Sequence, residues 1–382
     1  MTAGRIRRLL QVLLGFSALL LAANAASAGG RAKEAPGPVT ITIQSSPESG
    51  LVTELVVRSP AVTRALSKAK KLPDSRSPLT DTYITWKDGG TSRRFAVDES
   101  GNWHEEAAGL RWELSGAELE AYIEAAREAH YGRLLPWEEA KKTVAMKSIC
   151  TVTDLETGLS FKAQRRAGRS HADMQPVTKA DTAIMKEIYG GSWSWHRRAV
   201  LVSREGGPAI AASMHGMPHG GDGIPGNGFS GHFCIHFLGS STHGSKNVDP
   251  DHQWMVYKAA GRLDEALREA SPYGVAQAFL VALNQQETGL LQRIFADPKH
   301  PQLLHFQAAM KEIQGIRAKE PKELPEPPGE DATTAEILLD TTVYREGHKP
   351  EHQVFHFRMK RGGKDAPWQI EDLSITASAP SM

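Results

Sequence analysis

Apolar and polar positions alternate with period two soon after residue 37. Val39 to Ile43 reads VTITI, and Leu51 to Val57 reads LVTELVV beyond a Pro/Ser/Gly turn. YITW (Tyr83 to Trp86), RRFAVD (Arg93 to Asp98) and LRWEL (Leu110 to Leu114) follow between Asp/Gly turns, which predicts an antiparallel meander. The period then lengthens. Leu119, Tyr122, Ile123 and Ala126 recur at helical spacing behind a capping box of Ser115 and Glu118, and Gly132 ends the helix. Residues 38–132 therefore predict a small N-terminal α+β module, followed by a connector helix from Pro136.

Strand patterning returns at residue 147. SICTVTD and LSFKAQRR hinge about Asp154 to Gly158, and the polar run RRAGRSHADMQPVT predicts a loop carrying His171 and Asp173. Thr178 and Asp181 cap a helix that stops at Gly190 and Gly191. AVLVS and AIAASM lead into the run from Met214 to His236, and CIHFLG predicts a further strand starting at Cys234. Asp249 and Pro250 take the N-cap and N1 positions of a helix that closes a mainly-β central domain, 147–262. From Ser271 helices come first. A charged, proline-rich run (AKEPKELPEPPGED) then precedes three strands, AEILLDTTVYR, HQVFHFRMKR and WQIEDLSI. That order predicts a third domain, 271–382, whose helices cover one face of a curved antiparallel sheet. The fold class is α+β multidomain.

Length and composition fit this division, since 382 residues exceed one ordinary core and 40% hydrophobic with 23% charged residues is globular. Residues 1–28 stand apart. Arg5, Arg7 and Arg8 precede an apolar run from Leu9 to Ala23, and Ala26-Ser27-Ala28 ends it, which predicts a signal peptide cleaved before Gly29. The mature chain then has no stable membrane span, and the expected location is secreted or cell-envelope, periplasm or wall. Basic and acidic residues number 45 and 44, or 42 and 44 without that segment, which leaves no basic footprint for nucleic acid.

The candidate chemistry lies in 214–236, MHGMPHGGDGIPGNGFSGHFCIH. Four of the fifteen histidines, one of the two cysteines and seven glycines fall in this stretch. Three readings fit it. In the first, Cys234 is a nucleophile, with His215, His219, His232 and His236 as candidate bases and supporting groups; an adjacent imidazole predicts a lowered thiol pKa. In the second, His171 and Asp173 join His232 and His236 as zinc ligands. In the third, Cys150 and Cys234 form a disulfide, the default for two cysteines in an oxidising compartment, and the histidines are structural. Arg197 and Arg198 offer a pair that could recognise a carboxylate.

The first reading carries a resemblance. His219-Gly220, the glycine-containing loop to Ser230, and Gly231-His232-Phe233-Cys234-Ile235-His236 resemble the signature of the L,D-transpeptidase (YkuD-type) catalytic domain: His-Gly, a loop, Ser-His-Gly-Cys, a hydrophobic residue and Arg. Gly231 stands where that family has Ser or Thr, Phe233 where it has Gly, and His236 where it has Arg. The resemblance implies Cys234 as nucleophile, His219 as base with His215-Gly216 as an alternative His-Gly pair, His232 in support, Gly220 and Gly231 at the substrate, and no cofactor. It implies a peptidoglycan stem peptide as partner. The segment 271–382, by element order and Trp368-Gln369-Ile370, resembles the cone-shaped nuclear-transport-factor-like domains and implies a non-catalytic role. The expectation is an exported cell-wall cysteine acyl transferase; a zinc peptidase of the wall and a non-enzymatic wall-binding protein are the alternatives.

Overall fold

A computed structural model of the chain describes residues 6–10, 37–88, 90–114, 117–221, 223–243, 246–319, 325–326 and 328–377. It divides into two compact units, Met1–His130 and Tyr131–Met382. Residues 147–262 and 271–382 both lie in the second. Apart from Ile6–Leu10, the segment expected as a signal peptide lies outside the described residues, as does Ser115 of the expected capping box. No described helix is long and apolar enough to cross a membrane.

The first unit is an eight-stranded sheet with two helices. In chain order it contains β1 (Ile6–Leu10), β2 (Val39–Ile43), β3 (Leu51–Val57), α1 (Pro60–Lys68), β4 (Lys70–Pro73), β5 (Thr82–Asp88), β6 (Thr91–Val97), β7 (Trp103–Glu105), β8 (Leu110–Glu113) and α2 (Ala117–His130). The strand order is β1-β3-β2-β5-β6-β7-β8-β4, with β1 and β3 parallel and the other pairs antiparallel. Alternation decides which face is buried: Val39, Ile41 and Ile43 are within a few per cent of full burial, while Thr40 and Thr42 between them are not.

The second unit opens with α3 (Trp137–Thr143) and a closed six-stranded barrel: β9 (Ile149–Asp154), β10 (Ser160–Ala167), β11 (Ala172–Pro176), then α4 (Lys179–Ile188), β12 (Arg197–Ser203), β13 (Ile210–His215) and β14 (Phe233–His236). The order around the barrel is β10-β11-β14-β13-β12-β9, and every described pairing is antiparallel. The Thr178 and Asp181 capping box starts α4 as the sequence predicts. One expectation is corrected: ADMQP, read as loop, is the fully buried strand β11. Its Ala172, Met174 and Pro176 alternate with Asp173 and Gln175, and the first two join the apolar cluster of Cys150, Val152, Phe161, Val200, Phe233 and Ile235. Hydrophobic burial of that parity outweighs the polar character of the run.

Helices α5 (Pro250–Ala259), α6 (Leu263–Glu269), α7 (Pro272–Gln285), α8 (Thr288–Arg293) and α9 (Pro301–Ala309) follow. The sheet β15 (Ile313–Ala318), β16 (Thr334–Arg345), β17 (Glu351–Lys360), β18 (Gln369–Ala377) completes the unit. The proline-rich run joins β15 to its neighbour β16. Helix α7 is apolar almost all round, with Val275, Phe279, Leu280 and Leu283 buried, because it lies between the sheet and α5. Polar clasps set α5 in place: Gln285 Nε2 donates to Asp251 Oδ1 at 2.9 Å, and the buried Lys258 Nζ bridges Glu156 Oε1 at 2.6 Å and Glu287 Oε2 at 2.5 Å.

Phe279 is fully buried and its ring contacts those of Phe295, Phe306, Phe355 and Phe357 at centroid distances of 5.0–6.3 Å. Phe279→Ala should cost about 3–5 kcal/mol in urea unfolding of the second unit. A loss below about 1 kcal/mol would contradict this packing, since even one buried methylene is worth about that much.

Candidate active site

Strand register assembles half of the site. Asp173 on β11 lies directly opposite Cys234 on β14, His236 on β14 opposite Ser213 on β13, and His215 on β13 opposite Arg197. Residues two apart share a face of a strand. Asp173, Cys234, His236, Ser213 and His215 therefore stand together on the face turned away from the apolar cluster that takes Ala172, Met174, Ala212, Met214, Phe233 and Ile235. Helix α5 lies against this face. His252 from its first turn places Nδ1 2.9 Å from Ser213 Oγ, and its ring stacks on His236 at 3.8 Å.

The glycine-rich loop supplies the other half. His219 and His232 form an antiparallel bridge in which each N–H donates to the other's carbonyl, at 3.0 and 2.8 Å. Two glycines permit it. Gly231 has φ +88° and a Cβ there would lie 2.3 Å from the His219 carbonyl oxygen; Gly220 has φ +67° and its Cβ would meet the His232 ring at 2.3 Å. Phe233, where the resembled signature has glycine, is an ordinary residue of β14. The left-handed conformation sits two residues earlier, at Gly231.

These pieces converge on one sulfur. Cys234 Sγ is 3.4 Å from His219 Nε2 and 3.8 Å from Asp173 Oδ1. His219 Nδ1 lies 3.1 Å from the Met217 carbonyl, which can only accept. Nδ1 therefore carries the ring proton, and Nε2 presents its lone pair to the thiol. Asp173 Oδ1 also meets His243 Nε2 at 3.0 Å and His171 Nε2 at 3.1 Å. The rings of His171, His236 and His252 form a stack, with centroids 4.5 and 3.8 Å apart. Trp195, half exposed, flanks His215 and His219 at 4.8 and 5.5 Å.

The electrostatics correct one expectation. Burial, then the charge of Asp173 and the hydrogen bond to it, push the Cys234 thiol well up rather than down. His219 cannot offset this, because burial lowers its own pKa and keeps it neutral. Burial also opposes ionisation of Asp173, but the His171 contact and the surrounding histidine charges hold its carboxyl at about 2. His215, His236 and His252 are all pushed well below the ordinary histidine value, first by burial and then by nearby cationic groups.

Of the residues singled out in the sequence, Cys234 and His219 are in contact. His232 is bridged to His219, with its ring 4.4 Å away. The His215 ring is 5.1 Å from that of His219, and His236 lies within the stack. Gly220 and Gly231 act through the backbone. Arg197 Nη2 donates to Asp249 Oδ2 at 2.8 Å. Arg198 is committed elsewhere, its Nε and Nη2 each 2.7 Å from a carboxylate oxygen of the buried Asp154. His171 and Asp173 do adjoin one another, but the donors that complete a cluster with them are Cys234 and His243, not His232 and His236. Cys150 and Cys234 are both free and buried. Sequence reasoning missed His243 and His252 as members of the site. His252 was legible only as a first-turn residue of a capped helix, and nothing in Thr242-His243-Gly244 announced a partner 70 residues earlier. Comparison of the chain with protein-family models and with curated proteins returns no match.

The buried neutral histidines set a pH dependence. Between their lowered folded pKa values and the ordinary 6.5, the unfolded chain binds more protons than the folded one. Stability from these three groups is therefore complete above about pH 6.5 and falls as pH drops, by at most about 4 kcal/mol per pH unit for three protons. Urea midpoints should be lower at pH 5.5 than at 7.5, and His252→Gln should narrow the difference. Equal midpoints in the unsubstituted chain would refute neutral burial of His215, His236 and His252.

Proposed function

We propose that the second unit is an L,D-transpeptidase-like cysteine acyl transferase, exported to the cell envelope and acting on peptidoglycan stem peptides. The observation that carries the proposal is the position of His219: its Nδ1 lies 3.1 Å from the Met217 carbonyl, which can only accept, and its Nε2 lies 3.4 Å from Cys234 Sγ. That is the geometry of a general base and its nucleophile.

The raised thiol pKa decides how the pair works. A preformed thiolate beside an imidazolium would face the Asp173 carboxylate across the strand pair, so the resting state is neutral thiol and neutral imidazole. Sγ attacks the amide carbonyl of the donor as Nε2 takes the S–H proton. The resulting imidazolium keeps its Nδ1–H bond to Met217 and returns the Nε2 proton to the departing amine, leaving a thioester. An acceptor amine or water then gives a proton to Nε2 as it attacks the thioester carbonyl, and the thiol recovers that proton on release. Water gives a carboxypeptidase, an amine a transpeptidase.

A cavity of about 640 Å³ is lined by Trp195, Arg197, Asp251, Tyr273, Arg317 and Lys319; it does not reach Cys234 or His219, but the Trp195 ring lies 5.5 Å from that of His219. With Arg197 already paired to Asp249, Arg317 and Lys319 are the cations there that suit a peptide carboxylate.

With a tetrapeptide stem as donor in metal-free buffer, the chain should release the terminal D-amino acid. Cys234→Ala should abolish release, His219→Gln should slow it by about 10²–10⁴-fold, and Cys150→Ala should leave it unchanged. Asp173→Asn removes the charge that raises the thiol, so alkylation of Cys234 at pH 8 should speed up. Release undiminished in Cys234→Ala would overturn the proposal.

A further inference from the structure

His171 is fully buried, and its Nδ1 lies 2.7 Å from the Ser241 carbonyl. A carbonyl has no proton to give, so Nδ1 donates to it and Nε2 is the ring atom left facing the neighbouring strands. Asp173 Oδ1 is 3.1 Å from Nε2, yet Nε2 makes no hydrogen bond. A buried ring nitrogen left without a hydrogen bond beside a carboxylate is costly unless a cation lies between them. Two further donors close the group. His243 Nε2 is 3.0 Å from the same Oδ1 and Cys234 Sγ 3.8 Å from it, and one ligand atom from each of the four residues lies within 4.8 Å of all the others.

We propose that His171 Nε2, Asp173 Oδ1, Cys234 Sγ and His243 form a four-ligand site for one zinc-type divalent ion. Two imidazoles, a carboxylate and a thiolate are the borderline ligand set that zinc takes tetrahedrally. Three ligands come from adjacent barrel strands or the residue just before them. The fourth, His243, is half exposed and gives the ion a way in. On binding, the S–Zn bond forms as the S–H bond breaks and one proton per ion leaves for solvent. A coordinating thiol is deprotonated outright by the ion. A sulfur bonded to zinc cannot also attack an acyl donor, so occupancy switches the nucleophile off. That last consequence rests on the acyl-transfer reading; the site itself does not.

The test uses the full chain, metal-stripped and then titrated. Zinc should bind at one ion per chain by calorimetry with release of one proton. Cobalt should give the thiolate charge-transfer band and the visible absorption of a tetrahedral site. His243→Ala, at an exposed position, and His171→Ala should each weaken zinc binding by about 10–100-fold or more, and Cys234→Ser should remove the charge-transfer band. His219→Gln should keep the metal and lose acylation, whereas zinc should inhibit acylation of the unsubstituted chain. Absence of stoichiometric binding, a cobalt complex without the thiolate band, or affinity unchanged in both His171→Ala and His243→Ala would overturn the proposal. Stoichiometric binding with the thiolate band, in a metal-free chain that no donor acylates, would uphold the site and defeat the acyl-transfer reading instead.

Discussion

The pairing of Asp173 with Cys234 across β11 and β14 is the constraint on which the candidate site turns. Period-two geometry sends their neighbours Ala172, Met174, Phe233 and Ile235 into the apolar cluster and leaves the carboxylate and the sulfur together on the other face. A one-residue slip of β14 would bury the imidazole of His236 among Phe161 and Val152 and turn Cys234 toward the core, so hydrophobic burial fixes the register and the register fixes the chemistry. The same pairing explains why the sulfur holds its proton: its nearest fixed charge is negative.

Around that pair the structure spends its polar groups in two ways. His236 and His252, stacked and neutral, join β14 to α5, and α5 is in turn clasped to α7 through Asp251 and to the start of α8 through Lys258. The helical and sheet segment at the C-terminal end thereby supports the histidines. The loop side is organised differently. His219 is positioned by two backbone hydrogen bonds to His232 and one from its own ring to Met217, and this needs left-handed backbone at Gly220 and Gly231. A loop with seven glycines loses much entropy on ordering, and the bridge is where that cost is recovered.

Much of this was legible in the sequence because it is local. Strands with clean alternation, the Thr178 and Asp181 cap, the Asp249-Pro250 helix start and the Cys234 strand all follow from spacing alone. The contact between His219 and Cys234 was legible only through the family resemblance, which implies His219 as the base. What was not legible is non-local. ADMQP looked like loop because two of its five residues are polar, and only the barrel shows that those two share the face turned away from the apolar cluster. Arg198 looked free because its partner Asp154 is 44 residues away, on β9. The thiol looked primed because four histidines surround it in sequence, whereas its ionisation is governed by burial and by one carboxylate from another strand. His243 and His252 reach the site through tertiary packing that no short-range pattern encodes.

The central claim is that Cys234, through His219, forms a covalent acyl intermediate. Intact-mass measurement of the metal-free chain mixed with a stem-peptide or carbapenem-like acyl donor tests this most directly. The account predicts one adduct per chain, mapped to the peptide containing Cys234, cleaved by hydroxylamine as a thioester, and missing from the peptide containing Cys150. An unmodified chain under conditions where product is released, or an adduct on any other residue, would contradict it.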